Sequence, residues 1–484
     1  RAGRLTAVEP LGLGAAEVAS LLATQGVQGV DPAALLAETG GLPLLVVAYV
    51  ESLSHGEQAG GLRRIVPSGA RQLLETRLSS ASQATQQVLS AAAVLGGRCD
   101  AELLRLTSGR GEAEVADALD EALERGLIVE VAPAEAGRAV RYEFPYEALR
   151  KVVDDTCGPA RQRLLHSRAA DALARRAERA DRAGGDALPG TISSHLREAG
   201  RSEEAATWSW RAAQRSLSLY AHAEAFAHLR AALALGHPPE ETHGAIADAL
   251  IALGRYREAL VELEQAAAAH GREDAGLALI EHRLAGVHDR LGSWDNASAH
   301  LVSALELAGD DPVLAARIEA DRAFVAYRRG ASDASALAAL ALRAATISGD
   351  ARALAQARNV AGVLAGLGGD VEQAEELLRA SLETSRELAD PGPGVAALNN
   401  LARLLAEEGR GEEALRAAEE ALELGTRHGD VHRVAALHSN LADLLHASGR
   451  SEESIAHLKL AAARFASVDA GDEAVPEIWT LVEW

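Results

Sequence analysis

Asn400 and Asn440 lie forty residues apart, each two residues before a small residue of its segment, Ala402 and Ala442. A side-chain amide donates and accepts at once, so it can pair with the C=O and N–H of a peptide backbone together. Arg283 holds the same position before Ala285, and Arg403, Asp443 and His438 fall on the same or an adjacent helical face. These six are the candidate partner-binding residues, and the chemistry they offer is recognition, not bond making.

Catalytic patterns are missing. Phosphate chemistry needs GxxxxGK[ST], in which backbone N–H groups cradle the phosphates, a Lys reaches the β/γ oxygens and a hydroxyl holds Mg²⁺. The chain has two lysines, Lys151 and Lys459, and neither follows a glycine. The sixteen histidines include no HExxH and no GxSxG elbow occurs, so neither a zinc site nor an acyl-transfer serine is expected. Cys99 and Cys157 stand in separate segments, which excludes a disulfide framework and a Cys-based zinc motif and points to a reducing cytosol. No catalytic residue, metal or cofactor is expected of these residues.

The elements that position the candidates form a repeat. Turn glycines at 200, 254, 292, 330, 369, 409 and 449 each precede a small residue by five, with another twelve before that and usually one seven after. The triplets are Ser193/Ala205/Ala212, Ala247/Ala259/Ala266, Ala285/Ala297/Ala304, Ala323/Ser335/Leu342, Gly362/Ala374/Ser381, Ala402/Ala414/Ala421 and Ala442/Ser454/Ala461. The Ala323 unit is the weakest, because Leu342 replaces its third small residue. Two antiparallel helices approach closely only where both are small at the crossing, and a glycine reverses the chain between them. Each hairpin leaves an apolar flank that only its neighbour covers, so the units stack into a solenoid with a concave face.

Composition agrees: 48% hydrophobic, 3% aromatic and a formal charge of -22 over 484 residues. Residues 186 to 484 carry 27 basic and 46 acidic side chains, which argues against nucleic acid or an anionic membrane there. No apolar run is long enough to span a bilayer and no signal-peptide core opens the chain. With no methionine and a start inside an ongoing pattern, the chain reads as a segment of a longer protein. "PEIWTLVEW" (Pro476 to Trp484) reads as an apolar cap, and Trp208, Trp210 and Trp294 as packing residues.

Ahead of the repeats, helices are expected at 15 to 24, at 32 to 54 with a break at Thr39 to Leu45, and near 70 to 78, 82 to 95, 100 to 107 and 112 to 125. A glycine-rich link at Gly60, Gly61 and Gly69 falls among them. The strands Leu127 to Val131 and Val140 to Phe144 flank the turn-rich "APAEAGRA". Helices followed by a strand pair suggest a winged helix. Residues 61 to 185 are near neutral, with 19 basic and 18 acidic side chains, so DNA reading by it is not expected. The Arg-rich stretch Arg161 to Arg182 reads as a solvated or packed face.

The segments "ADALIALGRYREALVELEQA", "LNNLARLLAEEGRGEEALRAAEEAL" and "HSNLADLLHASGRSEESIAHLKLA" resemble the tetratricopeptide repeat, with spacings of 38 to 40 residues like its longer-helix variants. That resemblance implies a mainly all-α fold, a right-handed α-solenoid over 193–475 ending in a cap at 476–484, with Asn400 and Asn440 facing a peptide-binding groove. The order "AETGGLPLLVVAYVESL", "RQLLETRLSSASQATQQVLSAAAVLGGRCDAELLRLTSG", "EVADALDEALERGLIVE", "YEFPYEALRKVVDD" and "ARQRLLHSRAADAL" is similar to the back half of a STAND-type signal-transduction ATPase, including relatives of the maltotriose-responsive activator. It implies a helical lid remnant at 1–60, a winged-helix domain with a small hairpin at 61–158 and a linker helix at 159–192. The lid's Gly-x-Pro turn, which meets the nucleotide in that family, falls on Gly41 and Pro43, so with Tyr146 these are the cofactor-binding positions the resemblance implies. A phosphate-sensing histidine of that family corresponds to Tyr146, which donates a hydrogen bond but carries no imidazolium charge.

ATP or ADP then belongs to the parent protein. The reading is a cytoplasmic ligand- or protein-binding sensor of a bacterial regulator, taking a peptide or protein in its groove and self-associating on activation, without nucleic acid or membrane contacts. The alternatives are a receptor for a small inducer and a part of an ATP-hydrolysing or cyclase-linked parent.

Overall fold

A computed structural model describes residues 12–54, 66–131, 140–182, 189–270, 275–388 and 390–466. The link at Gly60 and Gly61, the turn at 132–139 and the terminal segment 476–484 lie outside the described residues. The chain is mainly α-helical and divides into two compact units, Arg1–Trp208 and Ser209–Trp484.

Unit 1 begins with α1 (Ala15–Thr24), α2 (Pro32–Thr39) and α3 (Pro43–Ser54). The break expected at Thr39 to Leu45 is real: Gly40 and Gly41 both take positive φ, 60° and 71°, and Pro43 opens α3. Next come α4 (Ser68–Ser79), α5 (Gln83–Leu95), β1 (Cys99–Asp100), α6 (Ala101–Ser108), α7 (Glu112–Glu124), β2 (Val129–Val131), β3 (Arg141–Glu143) and α8 (Glu147–Asp155). Beside the expected hairpin, β1 adds a third strand, giving an antiparallel sheet of order β1-β3-β2. β1 is two residues long, too short to show an alternating pattern in sequence. The two expected strands are also shorter than their stretches: Leu127 and Ile128 enter the core before the β2 ladder starts, and β3 takes only Arg141–Glu143.

One apolar core runs from Val18 to Ala172, so α1 to α3 and the sheet-bearing segment share it. The long α9 (Pro159–Arg182) packs on α5, α6 and α10 (Pro189–Glu198). Three of its arginines are engaged locally: Arg168 donates to Ser108 O at 2.9 Å, Arg175 to Asp171 O at 3.2 Å and Arg176 to Asp100 at 2.7 Å.

The α11 helix (Ser202–Ser218) spans the boundary between the units. Unit 2 continues with α12 (His222–Ala234) and six hairpins. These are α13 (Pro239–Ala252) with α14 (Tyr256–Ala269), α15 (Ala275–Arg290) with α16 (Trp294–Leu307), and α17 (Pro312–Arg328) with α18 (Ala334–Ser348). The others are α19 (Ala351–Leu367) with α20 (Val371–Ser385), α21 (Gly392–Glu407) with α22 (Gly411–His428), and α23 (Val431–Ala447) with α24 (Ser451–Phe465).

All seven turn glycines adopt positive φ, between 66° and 84°, which a side chain would strain. The small residues are buried at the crossings as expected, with one correction. In the Ala323 unit Ser335 is exposed and Leu342 only partly buried, and Ala334, Ala338, Ala341 and Ala345 carry the crossing instead. Here α18 starts at Ala334, four residues after Gly330, and its buried face falls one residue earlier than in the other units.

Candidate ligand chamber

The first helices of the hairpins, α13, α15, α17, α19 and α21, place side chains around a cavity of about 660 Å³ within unit 2. This volume is within the range of small-ligand sites, on the order of 300–1,000 Å³. Its apolar part includes Ile251, Leu279, Leu301, Leu314 and Phe324, and the rest is polar.

Most of the charge there is paired. Arg283 meets Asp248 at 3.0 Å, Arg352 meets Asp390 at 2.6 Å, and Arg290 makes a two-pronged contact with Asp430 at 2.8 and 3.2 Å. His282 binds Asp321 at 2.6 Å, and Arg317 binds Asp350 at 2.8 and 3.0 Å. Burial pushes the Asp248 and Asp289 carboxyls above the usual range, against the arginines beside them. Burial acts on Asp430 in the same sense, but Arg290 and Arg433 outweigh it and hold that carboxyl well below the usual range.

Three of these carboxylates, together with Asp311, obey a rule that sequence inspection missed. Asp311, Asp350, Asp390 and Asp430 recur at intervals of 39, 40 and 40 residues at the starts of α17, α19, α21 and α23. Asp311, Asp350 and Asp430 accept hydrogen bonds from first-turn N–H groups as N-caps, and Asp390 accepts from Gly392 N. Arg317 and Arg352, each on the preceding lining helix, then neutralise Asp350 and Asp390. The signal was an Asp in phase with the turn glycines, and it was hidden because the small residues drew the register.

Among the candidates from sequence, Arg283 lines the chamber; Asn400, Asn440, Arg403, Asp443 and His438 do not. Asn400 and Asn440 are 5% and 7% exposed, and their Nδ2 atoms donate to Oδ1 of Asn359 and Asn399, 41 residues earlier, at 3.0 and 2.8 Å. They form rungs between adjacent helices. Asn359 does line the chamber, and with its oxygen held by Asn400 its amide N–H groups have no other acceptor among the described residues. Gln356, one turn earlier on α19, also lines it and makes no hydrogen bond among them.

His438 Nδ1 lies 2.8 Å from His457 Nδ1, and burial lowers His438 to about 4. Arg403 is half-buried on α21 and Asp443 exposed on α23, neither with a hydrogen bond or ion pair among the described residues.

In unit 1 the structure brings the turn at Gly40 and Gly41 to Tyr146. A Cβ on Gly40 would lie 2.9 Å from the Tyr146 ring, Gly41 O accepts from Leu13 N at 2.7 Å, and Pro43 starts α3. The Tyr146 hydroxyl accepts from Arg77 at 2.9 Å. Lys151 is held by both oxygens of Glu38 at 2.8 Å. Burial raises both thiols, Cys99 to about 12. No cluster of three metal-ligating side chains occurs among the described residues, and no described helix is long and apolar enough to cross a membrane.

A tetratricopeptide-repeat family model matches residues 395–467, from the first turn of α21 through α24. No curated protein matches the chain. Among solved structures, the chain is similar to a STAND protein with a tetratricopeptide-repeat sensor from Pyrococcus horikoshii, at 15% identity and a TM-score of 0.47, covering 97% of this chain and 71% of that one. It is also similar to Bacillus thuringiensis PlcR in complex with the peptide PapR7 and DNA, at 15% identity and a TM-score of 0.37 over 47% and 81% of the two chains. A Rap protein complexed with competence and sporulation factor matches at 13% identity and a TM-score of 0.40 over 64% and 96%.

Proposed function

We propose that unit 2 is the ligand-sensing module of a bacterial STAND-type regulator and takes a short peptide in its chamber. The observation that supports a peptide is which groups are still unpaired. Arg283, Arg290, Arg317 and Arg352 each already hold a carboxylate, so the wall offers little uncompensated positive charge to select a phosphorylated inducer. The groups with hydrogen bonds to give are the neutral amides of Gln356 and Asn359, which match the C=O and N–H of a peptide backbone. Phe324 is the sole aromatic ring apart from histidine in the lining, which gives a sugar ring little to stack on.

The order of segments in unit 1 supports a STAND-type parent. We read this chain itself as non-catalytic, because its 484 residues carry no phosphate-binding loop with its lysine. Native mass spectrometry of the chain with a synthetic pool of random hexapeptides, ATP and an oligosaccharide tests the reading. Retention of hexapeptides, lost in Gln356→Ala, is expected; retention of ATP or sugar alone would overturn it.

A further inference from the structure

Three contacts join the beginning of unit 2 to α22 and α23, across 206, 176 and 140 residues of sequence. His222 Nε2 lies 3.0 Å from His428 O, Tyr256 OH lies 2.9 Å from His432 Nδ1, and Arg290 grips Asp430. The middle contact forms a directed chain. Arg290 donates to the Tyr256 oxygen at 3.2 Å, which leaves the Tyr256 O–H to donate to His432 Nδ1. Burial first, and Arg290 second, lower His432 to about 4, which keeps its nitrogen an acceptor near neutral pH.

The geometry departs from the neighbour-to-neighbour rule of a solenoid. Asp350 and Asp390 are neutralised from the preceding lining helix, by Arg317 and Arg352. Arg352 stands ten residues before Gly362; ten before Ala402 stands Gly392, which has no side chain to offer Asp430. Asp430 is served from α15 instead. Beside this seam Tyr220 takes φ 56°, a left-handed backbone that costs a non-glycine residue about 1 kcal/mol, with its ring 5.1 Å from that of His428. His222, Arg290, His428, Asp430, His432 and Arg433 all line the chamber, so the seam is part of its wall.

Resting on the reading of the chamber as a ligand site, we propose that the Arg290–Asp430 and Tyr256–His432 contacts form a latch that closes the chamber wall and releases to let ligand in or out. Every hairpin keeps its own neighbours when the seam parts, so opening needs no repeat to unfold. Ligand bound inside holds the seam shut to the extent that it binds the closed form better.

The test uses the full chain with spin labels at Glu224→Cys on α12 and Arg427→Cys on α22, both exposed; the native Cys99 and Cys157 are buried. Double electron–electron resonance should show one short-distance population in the otherwise unaltered chain. Asp430→Asn keeps the helix cap but drops the charge, and should raise the open-to-closed ratio on the order of a hundredfold with helicity unchanged by circular dichroism. Arg290→Ala should act similarly, and the double variant should open little further than either alone. Unchanged distances in Asp430→Asn, or full additivity, would overturn the latch. Dissociation of the hexapeptide pool should quicken at least tenfold in Asp430→Asn, and an unchanged rate in a visibly opened variant would overturn its gating role. If no chain holds hexapeptides, the ligand reading fails while the distances still decide the latch.

Discussion

The two units use buried polar groups in opposite ways. In unit 1, Lys151–Glu38 ties α8 to α2 and Arg77–Tyr146 ties α4 to the start of α8 within one core, where a cavity beside Val88 and Leu104 measures about 10 Å³. In unit 2 comparable pairs stand around a cavity of about 660 Å³. A pair inside a filled core fixes an arrangement, whereas pairs around a chamber present their unspent donors and acceptors to whatever enters. The difference follows from repetition. A helical hairpin repeated every 38 to 40 residues delivers the same position of each lining helix to one surface.

The largest effect should come from breaking a pair in unit 1. Glu38 is 5% exposed, so Lys151→Ala strands a buried carboxylate and should cost about 3–5 kcal/mol, seen as a lowered melting transition. If the loss is below about 1 kcal/mol, the contrast between a tied core and an open wall is weaker than drawn.

Acid should come next. His432, faced by Arg290, Asp430, Arg433, Arg328, Tyr256 and Phe465, titrates near 4 when folded and near 6.5 when unfolded. The unfolded chain therefore binds the proton more readily, and this stability is present above pH 6.5 and lost as pH falls toward 4. The loss is bounded at about 3 kcal/mol. Urea unfolding at stepped pH should show it, and His432→Gln should flatten the slope in that window.

Asn400→Ala removes the partner of the buried Asn359 oxygen and should cost about 1–3 kcal/mol in the same denaturation experiment. Gly409→Ala, at φ 75°, should cost about 1 kcal/mol. Gln356→Ala should fall within about 0.5 kcal/mol of the parent, because its amide makes no hydrogen bond among the described residues, and still reduce hexapeptide retention.

The repeat was legible because steric demands recur. Turn glycines and small crossing residues are required in every unit, and only Ser335 and Leu342 misled, where one turn is longer. The chamber was harder to read. Asn400 and Asn440 were singled out as groove-facing amides, yet they address the first helix of the preceding hairpin, and the amide that lines the cavity is Asn359, one position further out in the register. Asp430 belongs to the periodic aspartate series, but its partner Arg290 lies 140 residues away and not on the preceding lining helix, so nothing in the sequence joins the two.

The account is tested most directly by a photoreactive phenylalanine analogue placed at Gln356 in the chamber or at Val261, which is 53% exposed on α14. After irradiation with the random hexapeptide pool, peptide adducts should form at position 356 and not at 261. Equal labelling at the two positions, or adducts at 261 alone, would contradict a peptide chamber inside unit 2.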